Sequence, residues 1–274
     1  MSYRRKHVKT KIHRIKPRKS ILKKPFFWIG FLLLSTVLAA CYLLFFYPKF
    51  QVNDVVISGN QKVQTDALKS LILNNINKKI SKSIFLVDAA KLSEEVLDRF
   101  PVIGNIKINK KLPQTLNIEI KERAPIAVFC PSFTETVEEN QGKCFLIDES
   151  GVVFEPLYAA PQNMVIVRQL MDKNKVLSGQ KVVEQNIMKA VSMIEKNLKD
   201  NFKIDIKEAF ITSPLQLNVR TNENWQAYFN LDQNSDINLQ ITKMDLLLKG
   251  EIAPEARKNL HYIDLRFKDR AYYK

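Results

Sequence analysis

Three cysteines, three histidines and scattered acidic side chains are the groups in this 274-residue chain whose types and spacing could do chemistry. Cys130 and Cys144 bracket thirteen residues, PSFTETVEENQGK, that lie between two strand-like segments. In an oxidising compartment such a pair closes a disulfide across the loop, worth about 3 kcal/mol in the chain-entropy model when unstrained; in a reducing one it stays as two inert thiols. Cys41 follows Leu38, Ala39 and Ala40, which resembles a bacterial lipoprotein box, but residues 42–47 continue apolar where a lipidated chain turns polar. A cleaved secretory signal fits less well, because its apolar core spans about 7 to 15 residues and this run is longer. His261 is the one histidine beyond the apolar run and has no acid partner nearby in sequence, so a tetrahedral zinc site would need carboxylates from scattered positions. No two of the seven glycines fall at phosphate-loop or dinucleotide spacing, and no G-x-S-x-G elbow occurs. Asp148 and Glu149, close to Gly151, read as turn residues. No catalytic residue, metal site or cofactor is expected, and an enzymatic reading has nothing to rest on.

What must be positioned is therefore a surface, and charge and hydropathy place it. Residues 1–24 hold eleven basic side chains and no acidic one, and removing them from the net +15 leaves +4 for the rest of the chain. The high isoelectric point belongs to a tail, and a basic groove across the folded part is not indicated. Residues 25–47 carry no charge. As a helix they would rise roughly 34 Å against a hydrocarbon core of about 30 Å. Phe26, Phe27, Trp28 and Tyr47 resemble interfacial aromatic belts, and the cation excess before the span holds the N-terminus inside. The expectation is a single-pass protein of the cytoplasmic membrane with an extracytoplasmic folded part.

Beyond the span, residues 50–58 are rich in β-branched side chains and stop at Gly59-Asn60, which reads as a strand and a turn. Thr65 looks like an N-cap before Leu68, Leu71, Ile72 and Ile76 at helical spacing. A second helix starts at Asp88, carries Leu92, Val96, Leu97 and Phe100 along one side, and stops at Pro101. Ile106 and Ile108, then Leu116, Ile118 and Ile120, alternate with polar residues across a turn at Pro113, the period of half-buried strands. Further on, the sequence predicts a hairpin around Gly151, a buried strand over residues 164–167, a helix over 184–199, alternating strands through Leu217 and Phe229, and a helix capped by Asp236 with Gly250 at C′. The fold class is α+β: one N-terminal transmembrane helix, a strand-helix-helix-strand-strand unit, and a mainly antiparallel β domain with two or more helices.

That element order over residues 50–125 resembles a POTRA domain. Local wording extends the likeness: VISGN after the membrane, DRFPVIGNIKINKKLPQTLNIEIKERAPIAVF, LIDESGVVF, and YIDLRF near residue 265. A POTRA domain ending in Glu122-Arg123-Ala124-Pro125, placed directly after a transmembrane helix, resembles the bacterial FtsQ/DivIB cell-division family. The resemblance implies a basic cytoplasmic tail over 1–24, a transmembrane helix over 25–47, the POTRA domain over 50–125 and an FtsQ/DivIB-type β domain over 126–274. It also implies a scaffold at the division septum that holds FtsB/DivIC-like and FtsL-like proteins at a C-terminal edge strand. Carried over by position, that edge comprises Tyr262, Asp264, Arg266, Phe267, Lys268, Tyr272 and Tyr273. Residues 51–56 of the POTRA domain would meet other division proteins. The thirteen-residue excursion between the cysteines departs from the family pattern.

Two other readings compete. A POTRA-type chaperone of secretion or envelope assembly normally carries several POTRA copies and a barrel of alternating strands, whereas one copy followed by amphipathic helices is present. A nucleic-acid-binding tail is disfavoured because the cations already serve topology and only Tyr3 interleaves them for base stacking.

Overall fold

The computed structural model describes residues 24–132, 143–159, 161, 163–171, 176–232 and 234–274, so the basic tail and most of the excursion between the cysteines lie outside the described residues. The apolar run forms one helix, α1 (Pro25–Phe46), long and apolar enough to cross a membrane and with none of its residues buried. Pro48–Phe50 then make a short 3-10 turn, so the first strand begins later than the β-branched run suggests. Proline fixes a φ that suits a tight turn.

The next unit contains β1 (Asp54–Ser58), α2 (Thr65–Asn77), α3 (Ala89–Arg99), β2 (Ile103–Lys111) and β3 (Thr115–Glu122). Its three-stranded sheet has the order β1-β3-β2, with β1 parallel and β2 antiparallel to the central β3. The alternation in β3 reaches its expected end, with Leu116, Ile118 and Ile120 buried against Leu68, Ile72 and Ile76 of α2 and Leu92 and Val96 of α3. Each such side chain contributes about 1.5–3 kcal/mol when fully removed from water. Asp88 caps α3 by accepting from the Ala90 and Lys91 amides. Thr65, by contrast, is the first helical residue of α2, and Gln64 holds the cap position without a side-chain bond. Gly59 must be glycine: its φ is +84° and a Cβ would meet the Ile120 carbonyl oxygen at 2.1 Å.

The larger unit is a nine-stranded sheet of order β12-β11-β10-β9-β8-β7-β4-β5-β6. Its strands are β4 (Ala127–Ser132), β5 (Cys144–Ile147), β6 (Val153–Leu157), β7 (Ile166–Leu170), β8 (Ile206–Ser213), β9 (Gln216–Thr221), β10 (Gln226–Asn230), β11 (Tyr262–Asp264) and β12 (Tyr272–Tyr273). Five of its eight pairings are antiparallel, while β4–β7, β7–β8 and β10–β11 are parallel. Helices α4 (Gln185–Phe202) and α5 (Ile237–Leu246) cover one face. Ile187, Val191, Ile194 and Leu198 of α4 meet Phe129, Val167, Ala209 and Leu217 there. Asp236 caps α5 through the Asn238 amide. Gly250 does not occupy a C′ position: α5 runs on into a π-helical turn over Leu247–Glu251 that contains it.

Candidate functional site

Cys130 and Cys144 sit opposite each other at the next register step of the β4–β5 pair, after Phe129 opposite Phe145. Their Cα atoms are 4.4 Å apart, the spacing of a non-hydrogen-bonded antiparallel pair, and a disulfide joins them. Both are buried on the sheet face opposite α4, in a small cluster with Val128, Leu146 and Phe154. Val102, just before β2, touches this cluster and the core of the smaller unit alike, so the two units share an apolar seam.

The motif residues that end the smaller unit fix that seam. Glu122 accepts from the backbone amides of Gln61, Lys62 and Val63 at 2.8–3.0 Å, which ties down the turn after Gly59. Partial burial pushes its carboxyl up, but the three amides and the Lys62 ammonium hold it net below the usual carboxylate value. Arg123 donates from Nε to the Pro101 carbonyl at 3.0 Å and from its guanidinium to Asp148 at 2.5 Å. Asp148 also accepts from the Ser150 amide and hydroxyl and from the Val152 amide, which shapes the turn into β6. Burial pushes Asp148 up; Ser150, Val152 and Arg123 together bring it below its ordinary value. The Glu122-Arg123 and Leu146-Ile147-Asp148 motifs, separated in sequence, therefore meet across the seam.

At the far side of the large sheet lie the residues assigned by position to a partner edge. Tyr262 and Asp264 are in β11, which pairs in parallel with β10. Arg266, Phe267 and Lys268 are in the turn that follows, and Tyr272 and Tyr273 form β12, which adds antiparallel to β11. The open edge is thus β12. Tyr262 and Lys274 exchange N–H···O bonds at 3.4 and 3.2 Å, and Tyr273 stands opposite Ile263 one step on. Because antiparallel pairs alternate, Tyr273 turns its own N–H and C=O outward, where another strand could use them.

Asp264 is only 8% exposed, so it acts through its neighbour. Its carboxylate receives a bidentate fork from Arg266, at 2.9 Å from Nε and 2.6 Å from the second amino group. Burial pushes Asp264 up, and the Arg266 bonds outweigh it and leave it net lowered. The same guanidinium lies over the Tyr228 ring at 5.3 Å, and Tyr228 packs against Tyr262. Arg266 is therefore held down on the sheet face. Phe267 and Tyr272 make an edge-to-face pair at 5.1 Å and stand 50% and 45% exposed. Tyr273 donates to Glu251 at 3.1 Å, which raises its phenol from the usual value.

One contributor escaped the sequence reading. Lys243 of α5 donates to the carbonyls of Phe267 (2.5 Å), Leu265 and Lys268 (both 3.3 Å) and so clamps the turn between β11 and β12. Burial lowers its pKa, partly offset by Asp269. No periodic signal marks such a lysine, since its partners are backbone atoms 22 to 25 residues away. Among the described residues no three His, Cys, Asp or Glu side chains gather as a metal site. His261 donates its amide to the Lys274 carbonyl at the base of the edge.

Residues 50–123 match the family model described as POTRA domain, FtsQ-type. Over 244 residues the chain is 28% identical to cell division protein DivIB of Clostridium tetani, covering 86% of this chain and 83% of that protein. The chain is similar to the DivIB and FtsQ cell-division proteins over much of its length. DivIB of Clostridium botulinum is 23% identical over 261 residues, covering 93% of this chain and 91% of its own length. Cell division protein FtsQ of Rickettsia typhi is 31% identical over 102 residues, which are 37% of this chain and 33% of that protein. The relationship supports a role in cell division, and α1 fits a single-pass membrane protein.

Proposed function

We propose that this DivIB/FtsQ relative is a non-enzymatic scaffold of the division machinery that binds FtsB/DivIC-like and FtsL-like proteins at the β12 edge. Its N-terminus lies inside, its folded units lie at the outer face of the cytoplasmic membrane, and it concentrates at the septum. The observation that carries the reading is the outward-turned backbone of Tyr273 beside the exposed Phe267–Tyr272 pair. Main-chain bonds to an added strand give affinity, and aromatic anchors dominate the energetics of such interfaces. Asp264, Arg266 and Lys243 act as positioning residues that keep the turn in shape.

The test is a photo-crosslinking residue at Phe267 or Tyr272 of the full chain in dividing cells, with Tyr158 on a distant loop as the control. Trapping of an FtsB/DivIC-like protein at the first two positions is expected. If neither position captures one, the edge assignment is wrong; capture of many unrelated envelope polypeptides would favour a chaperone. A fluorescent fusion that stains the envelope evenly, without a midcell band, would count against the division reading itself.

A further inference from the structure

The smaller unit is not strung from α1 on a free linker. The last carbonyls of a helix lack intrahelical partners and must be satisfied by water or by side chains. Ser83 Oγ donates to the Leu44 carbonyl at 2.9 Å, Gln51 Nε2 to the Phe45 carbonyl at 3.0 Å, and Ser81 Oγ to Phe45 as well. Ser81 and Ser83 are buried by this contact. An aromatic chain continues it: Tyr47 packs on Phe50 at 6.2 Å and Phe50 on Phe85 at 5.4 Å.

The topology brings a third loop to the same end. Asp54 pairs in parallel with Thr115, and the amides of Asn53 and Asp54 approach the Gln114 carbonyl at 3.1 and 3.3 Å. The β2–β3 turn is thus next to the chain's exit from α1. Lys110 Nζ reaches the Phe85 carbonyl at 3.5 Å and joins this turn to the loop between α2 and α3. The end built from residues 47–54, 78–88 and 110–114 exposes Ile80 (96%), Leu112 (58%), Phe85 and Leu86. It also holds Lys49, Lys78, Lys79, Lys82, Lys110 and Lys111 against two acids, Asp54 and Asp88.

We propose that this end of the POTRA domain is a membrane-binding face that seats on the anionic lipid surface of the bilayer α1 crosses. The inference rests on α1 spanning that bilayer. Ile80 is one residue from the serine that bonds α1, so it shares the depth of the helix end. At that depth exposed apolar side chains enter the headgroup–acyl boundary and lysines meet anionic headgroups. Each lysine near such a surface multiplies the seated population by up to about fivefold.

The test uses the full chain reconstituted in vesicles of phosphatidylcholine with or without phosphatidylglycerol. In a Trp28→Phe background, Ile80→Trp and Leu112→Trp are compared with Tyr158→Trp, using brominated lipid and aqueous acrylamide as quenchers. Trp225 is fully buried and supplies a constant background. We expect brominated lipid to quench the first two and acrylamide to spare them, with the opposite at Tyr158→Trp. Changing Lys78, Lys79, Lys82, Lys110 and Lys111 to glutamine should move Ile80→Trp toward acrylamide access in phosphatidylglycerol vesicles only; no change overturns the anionic-lipid assignment. If native Trp28 is quenched by lipid while both new tryptophans behave like Tyr158→Trp, the seated face is wrong and the spanning helix stands. Lack of lipid quenching at Trp28 removes the spanning reading instead. Protection of Ile80→Trp from both quenchers means a protein covers the face, which also overturns the proposal.

Discussion

Removing Arg123 should loosen the seam between the POTRA domain and the large sheet by an amount that a double-mutant cycle can isolate. The side chains of Arg123 and Asp148 are 16% and 11% exposed. Breaking a buried ion pair by deleting one partner costs about 3–5 kcal/mol when the remaining charge is left alone. Asp148 would not be alone, because the Ser150 amide and hydroxyl and the Val152 amide stay in place. Arg123→Ala is therefore expected to cost about 2 kcal/mol, near the middle of the range for a hydrogen bond to a charged group. Asp148→Ala removes those three turn bonds as well as the pair and should cost about 3 kcal/mol. The double variant should fall short of the sum by about 1–2 kcal/mol, the coupling expected for residues in direct contact. Urea unfolding of the full chain in detergent micelles, followed by Trp225 emission in the Trp28→Phe background, measures all four corners. Acid adds a second readout. Asp148 is lowered in the folded state, so its contribution is present above the unfolded value of about 3.9 and is lost as pH falls through the folded value. Arg123→Ala should flatten that acidic slope. Additive single costs, or an unchanged slope, would refute the idea that this pair joins the two units.

Other perturbations bear on the edge and the disulfide. Lys243→Met keeps the stem of the side chain and removes the clamp on three carbonyls; hydrogen–deuterium exchange should rise at residues 265–274 while α4 stays protected, and yields of crosslink at Phe267 should drop. Arg266→Ala strips the bidentate partner from a buried Asp264 and is expected to cost about 1–3 kcal/mol in the same urea assay at neutral pH, a difference present above the unfolded carboxyl value of about 3.9 and lost as pH falls through the lowered folded value. Cys130→Ser with Cys144→Ser should lower stability by about 3 kcal/mol, as for a loop of this length, and a reductant should leave that double variant unaffected.

Much of the architecture was legible because it depends on local rules. An uncharged run of 23 residues, the alternation through Leu116, Ile118 and Ile120, the aspartate caps at Asp88 and Asp236, and the apolar stripe of α4 each name an element without knowledge of its neighbours. What stayed hidden is long-range. β12 is two residues long, too short for any period to show, and its pairing with β11 brings its two tyrosines to the sheet's end. The parallel seating of β11 on β10 depends on a crossover through α5. The net charge beyond the tail is close to ordinary, which argued against a basic surface. Yet the lysines of three separate loops gather at one end of the POTRA domain, and only the β1–β3 register reveals it. Likewise, the wording at Glu122-Arg123 and at Asp148 was recognisable as family pattern, while the ion pair that explains both residues was not.

Under the proposed function, the serine contacts at the end of α1 set how the edge strand would meet a membrane-rooted partner. A domain on a slack leash samples a hemisphere whose radius is set by the linker, and a partner strand must search that volume. Ser81 and Ser83 turn the leash into a mast, and the Arg123–Asp148 pair stiffens its upper joint. The β12 edge is then carried at a set height above the bilayer. A partner rooted in the same membrane meets it through lateral diffusion, at an effective concentration fixed by matching heights and not by linker length. A partner whose own stalk is shortened or lengthened by a turn or two of helix should lose that match even though every contact residue is intact.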